Sequence, residues 1–334
     1  MKAAIGRLAA VAIAIAMVTL AIWFVRPGDD DGTSGSGGSG SGRGDGAFDL
    51  ACAEDLAELC AAVEKELDPK RVTVVVETPS KTIERYASAD PPHAWLTATP
   101  WPGLAEARLA EAGRSTVFDG ADERLASRPV EVAVALGRWT DVVRGRCGAV
   151  PTWGCLVDAV DEGALTIGVA SPETTDGVAA IGALVDGWFA SLDPPLSNYD
   201  ILDIDELFST RLLALRDGAG RSRRSPLDSI LTAGGSYGAV VVTGATMRLG
   251  ALGRQGDLTV LTPTPAASVS VVLVASSAEA RREVLKRIST ERISELARRQ
   301  QWGNPDDDPA NDTANDGLTP AHILDPVITK WTRP

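Results

Sequence analysis

The sequence predicts an α/β protein with mostly parallel sheets, and two observations carry this prediction. Short runs rich in β-branched residues alternate with segments of helical period along most of the chain. Hydrophobic residues make up 44% of the 334 residues, which is enough for a sizeable core. A long apolar segment and a Gly/Ser-rich stretch precede this alternating region.

Residues 1–26 are predicted to be a signal anchor. Leu8–Val25 is a run of 18 uncharged residues. A helix of that length spans about 27 Å, just enough for the hydrocarbon core of a membrane. Lys2 and Arg7 precede the run, so the positive-inside rule places the rest of the chain outside the cytoplasm. A cleaved signal peptide is the alternative, but no small-x-small cleavage site follows the run.

Residues 27–46 are predicted to be a flexible linker. Their Gly/Ser-rich core can bury no apolar surface. A coil of this length reaches about 25 Å in the root-mean-square sense. The sequence therefore predicts a tether between a membrane and a folded ectodomain.

The four cysteines form two local pairs, Cys52 with Cys60 and Cys147 with Cys155. An even number of cysteines in an exported chain indicates disulfides. We predict that each local pair is bonded, while cross-pairing and free thiols remain alternatives. The C-x(2–4)-C spacing of a zinc site is absent from the sequence.

In the ectodomain the predicted strands are short, and several of the predicted helices begin at Ser or Pro signals. The strands are expected at residues 71–77, 94–97, 130–136, 165–170, 239–243, 258–261 and 269–275. The helices are expected at residues 53–67, 82–86, 104–112, 139–144, 171–190, 205–215, 227–233 and 278–301. The first strand is expected to be buried on both faces. Ser171 and Pro172 are expected to be the N-cap and first position of their helix.

The segment 304–317 is the most acidic part of the chain. It contains five Asp and no Lys or Arg. This composition is too polar to bury, so a loop without regular structure is predicted. A final segment, 318–331, is expected to dock through its apolar side chains Ile323, Leu324, Val327, Ile328 and Trp331.

Charge and motif content exclude several function classes. The net charge of −13 disfavours nucleic acid as a partner, because an acidic surface repels phosphates. Two His residues cannot build a His-rich metal site, and no phosphate-binding Gly-rich loop that ends in Gly-Lys-Ser/Thr is present. No catalytic residue, metal or cofactor is therefore predicted.

Five stretches together resemble the bacterial extracellular solute-binding proteins of the type II periplasmic-binding fold. The resemblance extends over most of residues 70–305. Within the family, the chain is most similar to actinobacterial members, some of which are fused to a von Willebrand A domain that is missing here. The stretches are VTVVVETPSK (72–81), HAWLTATPW (93–101), LASRPVEVAV (125–134), LTIGVASPETTDGVAAIGAL (165–184) and VSVVLVASS (269–277). The acidic segment 304–317 is a departure from the family.

The resemblance implies two lobes with a ligand held between them. Lobe one would contain residues 47–130 and 245–334, and lobe two residues 131–244. The chain would cross between the lobes near Arg128–Pro129 and near Thr243–Gly244.

Loops that follow the predicted strands supply the candidate ligand residues. They are rich in Ser and Thr, and hydroxyl groups beside helix N-termini favour a polar or anionic ligand. Taken singly, each such residue is more often an ordinary helix cap than a ligand contact, but their convergence from several strand ends favours a ligand site. The predicted ligand residues are Ser80, Lys81, Thr99, Ser127, Arg128, Ser171, Thr174 and Thr175.

The sequence thus predicts a membrane-anchored, extracytoplasmic solute-binding-like protein that holds a small polar or anionic molecule. Its expected partners are that small molecule, the membrane through the N-terminal helix, and an envelope protein or transporter. The alternative is an envelope scaffold that has the same fold and a cleft that binds nothing. An open, Ser-lined cleft would favour the first function, and a cleft filled by Leu or Trp would favour the second.

Overall fold

The structure is a computed structural model that describes residues 48–114, 117–192, 225–233, 237–250, 257–310 and 314–332. No helix within these ranges is long and apolar enough to cross a membrane. The predicted anchor (1–26), the predicted linker (27–46) and the predicted helix 205–215 lie outside the described residues.

Eight strands are described. They are β1 (Phe48–Ala53), β2 (Val72–Glu77), β3 (Ala94–Ala98), β4 (Ala126–Ala135), β5 (Ile167–Gly168), β6 (Ala239–Thr243), β7 (Leu258–Leu261) and β8 (Ser268–Ala275).

Eleven α-helices are described between and after the strands. They are α1 (Ala57–Glu66), α2 (Pro79–Tyr86), α3 (Trp101–Glu111), α4 (Arg138–Cys147), α5 (Trp153–Asp161), α6 (Thr175–Ala190), α7 (Pro226–Ala233), α8 (Gly244–Gly250), α9 (Ala278–Leu285), α10 (Thr290–Arg299) and α11 (Ala321–Thr332). The alternation of strands and helices confirms the α/β prediction.

The strands form one mixed sheet in the order β2-β1-β3-β8-β4-β6-β5, and β7 also pairs with β4. β1 pairs in parallel with β2 and β3, and β5 pairs in parallel with β6. The four pairings of β8 and β4 are antiparallel. The prediction of a mostly parallel sheet is therefore wrong, because β8 returns from late in the chain and inserts between β3 and β4.

Strand β4 changes partners along its length. Its first residues, Ala126–Pro129, pair with β8. The residues from Val130 onward pair with β6 on one side and β7 on the other. Pro129 has no N–H to donate to a ladder, so it is suited to the point where one set of pairings ends and the next begins.

Several element boundaries differ from the expected ones. β1 was not predicted, and neither were α5 and α8. The strand expected at 165–170 is only Ile167–Gly168, and the long helix expected at 278–301 is two helices, α9 and α10. Ser289 ends the continuity of that long helix because its side chain caps α10, accepting a hydrogen bond from the Arg292 N–H.

Strand β2 is at the edge of the sheet. It was expected to be buried on both faces, but Val76 is 47% exposed and Thr73 is also exposed. A run of β-branched residues fits the centre and the edge of a sheet equally well, so its composition did not distinguish the two positions.

Both predicted disulfides are present. Cys52 at the end of β1 is bonded to Cys60 in α1, and Cys147 at the end of α4 is bonded to Cys155 in α5. The final segment also behaves as expected, because the predicted docking side chains of α11 are buried.

Candidate functional site

The start of α6 is covered by residues that follow β1 and β3. The backbone N–H of Thr175, the first residue of α6, donates to Asp55 Oδ2 at 2.6 Å. The Thr175 hydroxyl accepts a hydrogen bond from the indole Nε1 of Trp101 at 3.0 Å. Trp101 is fully buried. The N–H groups of a helix start attract anions, and here a carboxylate of the chain itself takes one of them.

The buried carboxylate of Asp176 connects the start of α6 to the end of β6. Asp176, the second residue of α6, accepts the backbone N–H of Thr243 at 3.0 Å. Thr243 ends β6, so one of the strand ends expected to face the ligand does reach the start of α6. Burial raises the pKa of the Asp176 carboxyl, opposed by its hydrogen bonds to Thr243 and Thr246. Asp176 was not among the predicted site residues.

Ser171 is not the N-cap of α6, and this part of the prediction is wrong. The helix starts at Thr175, and the cap is Thr174, whose hydroxyl accepts the N–H of Gly177 at 3.2 Å. Ser171 closes the preceding turn: its carbonyl oxygen accepts from the Thr174 hydroxyl at 2.8 Å. That turn folds back onto Gly177, where a Cβ would lie 2.0 Å from the Ser171 carbonyl oxygen. Only glycine therefore fits at residue 177, and the turn excludes Ser171 from the capping position.

A second group of predicted residues lies together where β3, β8 and β4 are adjacent. The Thr99 hydroxyl donates to Asp316 Oδ2 at 3.1 Å and accepts the Ser270 N–H at 2.9 Å. Ser127 pairs with Ser270 across the sheet. The Ser127 hydroxyl donates to Asp308 Oδ2. Both predicted hydroxyls are therefore bound by carboxylates of the acidic segment.

The acidic segment is folded where it is described, contrary to its prediction as a structureless loop. Pro305–Asp307 and Ala314–Gly317 form 3-10 turns. Asp316 is only 3% exposed and forms an ion pair with Arg124. Burial raises the pKa of the Asp316 carboxyl, while Arg124 and Thr99 favour its charged form. The partners of these aspartates are far away in sequence, so local composition could not reveal them.

Arg128 is engaged with the backbone beyond α10. Its Nε donates to the carbonyl oxygen of Gln301. Burial lowers the pKa of the Arg128 guanidinium, and nearby Arg248 lowers it further, against Glu131 and Asp308. The Arg128 side chain thus supports the chain after α10.

Ser80 and Lys81 lie in the first turn of α2 and not in a loop. The Lys81 N–H is capped by the hydroxyl of Thr78 at 3.4 Å, and the Lys81 side chain is exposed. Within the described part of the chain, no hydrogen bond or ion pair joins either residue to the other predicted ligand residues. The structure therefore does not bring them into a common site.

A cavity of about 380 Å³ lies beside Thr99, within the range of small-molecule sites. The first turn of α3 separates it from the start of α6, since Pro100 and Pro102 line the cavity while Trp101 reaches Thr175. Thr99 is the one predicted ligand residue in its wall. The lining residues are Thr99, Pro100, Pro102, Gly103, Glu106, Ala121, Asp122, Arg124, Asp316, Thr319, Pro320 and Ala321.

The fold has clear counterparts among solved structures, whereas no family model and no curated protein sequence matches the chain. An extracellular solute-binding protein from Bordetella parapertussis matches with a TM-score of 0.53 at 13% identity, covering 86% of this chain and 97% of that one. The chain has the fold of solute-binding proteins. The predicted resemblance to the type II periplasmic-binding fold is thereby confirmed.

Two further structures support the same fold. The periplasmic binding protein AfuA from Actinobacillus pleuropneumoniae, solved with fructose-6-phosphate, matches with a TM-score of 0.51 at 13% identity over 86% of this chain and 98% of that one. A substrate-binding protein of an ABC transporter from Agrobacterium tumefaciens matches with a TM-score of 0.50 at 13% identity, covering 87% of this chain and 95% of that one. All three counterparts are binding proteins.

Proposed function

We propose that this chain is an extracytoplasmic solute-binding-like protein that holds a small polar molecule in the cavity beside Thr99, at the end of β3. The observation that supports this most is the cavity of about 380 Å³, whose wall contains Thr99 and the first turn of α3. In α/β folds ligands bind at the carboxyl ends of strands, and Thr99 follows β3 directly.

The test is a thermal-shift screen of the purified protein against sugars, sugar phosphates, amino acids and inorganic anions. A ligand present at 100 times its dissociation constant adds about 2.7 kcal/mol to the free energy of unfolding. A concentration-dependent rise in melting temperature for one compound class supports the proposal. A flat response across all classes contradicts it.

We further propose that the chain forms two lobes that share β4. The change of partners at Pro129 supports a crossing at Arg128–Pro129. β7 pairs with the later half of β4, which favours a return crossing at residues 262–267 over the one expected at Thr243–Gly244. A ligand that closes the lobes should reduce the radius of gyration measured by X-ray scattering, and an unchanged value would contradict the two-lobe arrangement.

The membrane anchor also belongs to the proposal. Its support is the uncharged run Leu8–Val25 with positive charges before it. N-terminal sequencing of the protein in the membrane fraction should find the unprocessed N-terminus. A mature N-terminus between residues 20 and 50 would show instead that the segment is cleaved.

One observation favours the alternative, an envelope scaffold with a sealed cleft. Trp101 and Asp55 already occupy the start of α6, and Trp101 is fully buried there. A scaffold should give no thermal shift with any small molecule but should be crosslinked to a reproducible envelope protein in intact cells. A ligand-induced shift that is lost on substituting the cavity wall would argue against it.

A further inference from the structure

The carboxylate of Asp316 is held in the cavity wall by two groups that commonly recognise carboxylates. Its Oδ2 accepts the Thr99 hydroxyl at 3.1 Å, and Arg124 forms an ion pair with it. Hydrogen bonds from guanidinium and hydroxyl donors to a carboxylate are roughly twice as strong as those between neutral groups. All three residues line the same cavity.

Asp316 is placed there at a cost to its own backbone. Its φ is +59°, in the left-handed region, and it is 3% exposed. Burying an ion pair is weak support for stability, because desolvation opposes the Coulomb attraction. A buried, strained aspartate is therefore better explained by the shape of the site it fills than by the stability it adds.

Two other charged residues in the cavity lining are acidic and favour a cationic group. Glu106 and Asp122 also line it, and Arg124 is its one cationic lining residue. Glu106 accepts the Phe118 N–H at 2.7 Å, which fixes its carboxylate, and Asp122 is exposed. A molecule whose carboxylate lies at Thr99 and Arg124 would thus present its remaining atoms to two acidic side chains.

We propose that Thr99 and Arg124 form a carboxylate subsite that Asp316 fills in this structure, and that the cavity accepts a small zwitterion, a carboxylate with a nearby ammonium group, in its place. This inference rests on the proposed solute-binding function and names its ligand class. The ligand carboxylate takes the hydrogen bond and ion pair of Asp316, and the ammonium group faces Glu106 and Asp122.

The experiment empties the subsite and refills it with small probes. Asp316→Gly removes the carboxylate, and glycine readily adopts the left-handed backbone of this position. Melting temperatures are measured with propionate, propionamide and β-alanine at matched concentrations. We expect the apparent affinity of propionate to exceed that of propionamide at least tenfold, and that of β-alanine to exceed that of propionate.

Two controls make the result specific. Asp325→Ala breaks the ion pair between Asp325 and Arg108, whose atoms are 2.7 Å apart and about as shielded from solvent as those of Asp316 and Arg124. Neither Asp325 nor Arg108 lines the cavity. No carboxylate should therefore restore the stability of Asp325→Ala. Arg124→Gln added to Asp316→Gly should abolish the response to propionate. If Asp316→Gly does not fold, Asp316→Ala, which also removes the carboxylate and leaves the subsite open, is used with the same probes.

The outcomes separate the two proposals. Equal effects of propionate and propionamide, or equal rescue of Asp325→Ala, overturn the carboxylate subsite, whatever the ligand screen of the native protein shows. A β-alanine effect no larger than that of propionate overturns the zwitterion. Rescue of Asp316→Gly with a flat native screen supports the subsite while contradicting the solute-binding function.

Discussion

The hydrogen bond between Trp101 and Thr175 is predicted to couple the first turn of α3 to the start of α6. The Trp101 side chain is fully buried and Thr175 is 5% exposed, so water cannot replace either partner. Trp101→Phe removes the indole N–H, and Thr175→Val removes the hydroxyl while keeping the branched shape. Each single variant leaves one buried polar group unpaired, which costs about 1–3 kcal/mol.

The double variant has no unpaired group left, so its loss should be smaller than the sum of the two single losses. We expect a coupling energy of about 1–2 kcal/mol from a double-mutant cycle. Urea unfolding of the four proteins measures it, with equal m-values as the check that only stability changed. Thr175→Ser retains the hydroxyl and should stay close to the native stability.

The result that refutes this reasoning is additivity. Independent sites usually add within about 0.5 kcal/mol. A coupling energy below that limit would mean that the Trp101 indole and the Thr175 hydroxyl do not depend on each other. The contact would then be a consequence of packing and would not hold α3 against α6.

Three other substitutions test the packing and electrostatics of α6. Gly187→Ala places a Cβ 2.2 Å from the buried Trp153 ring and should destabilise by about 2 kcal/mol in urea unfolding. Gly182→Ala has ordinary space and should stabilise by up to about 1 kcal/mol; equal effects of the two would contradict the packing. Burial raises the pKa of the Asp176 carboxyl above its value of about 3.9 in the unfolded chain. The protonated carboxyl therefore stabilises the fold at pH values below about 3.9, and this stabilisation is lost as the pH rises through the pKa of the folded state. Asp176→Asn keeps an oxygen for the Thr243 N–H, so it should flatten this fall without lowering stability at neutral pH; an unchanged profile would argue against the shift.

The sequence was most informative where a pattern is local. The strand Ala239–Thr243 and the two disulfides were predicted because β-branched runs and paired cysteines carry their meaning within a few residues. β1 was missed because Phe48–Ala53 leads into a 3-10 turn and α1 without a Gly or Pro to separate them. The helical pattern of the following residues was extended back to Ala53.

The candidate site was predicted only in part because its contacts join distant parts of the chain. Thr99 and Ser127 do lie together, as the strand ends indicated. Their carboxylate partners, Asp316 and Asp308, come from a segment whose composition alone indicated solvent exposure. Without knowledge of the tertiary contacts, an aspartate that binds a serine and one that faces water have the same sequence signal.

The position of β8 has a consequence for incomplete chains. β8 is synthesised late, yet it lies between β3 and β4. A chain that terminates before Ser268 would therefore lack β8 and leave β3 and β4 with unpaired backbone N–H and C=O groups along the edges that β8 pairs with. Such open edges recruit strands from other molecules. Truncated chains of this protein should consequently aggregate or be degraded by proteases, even though every earlier strand had been made.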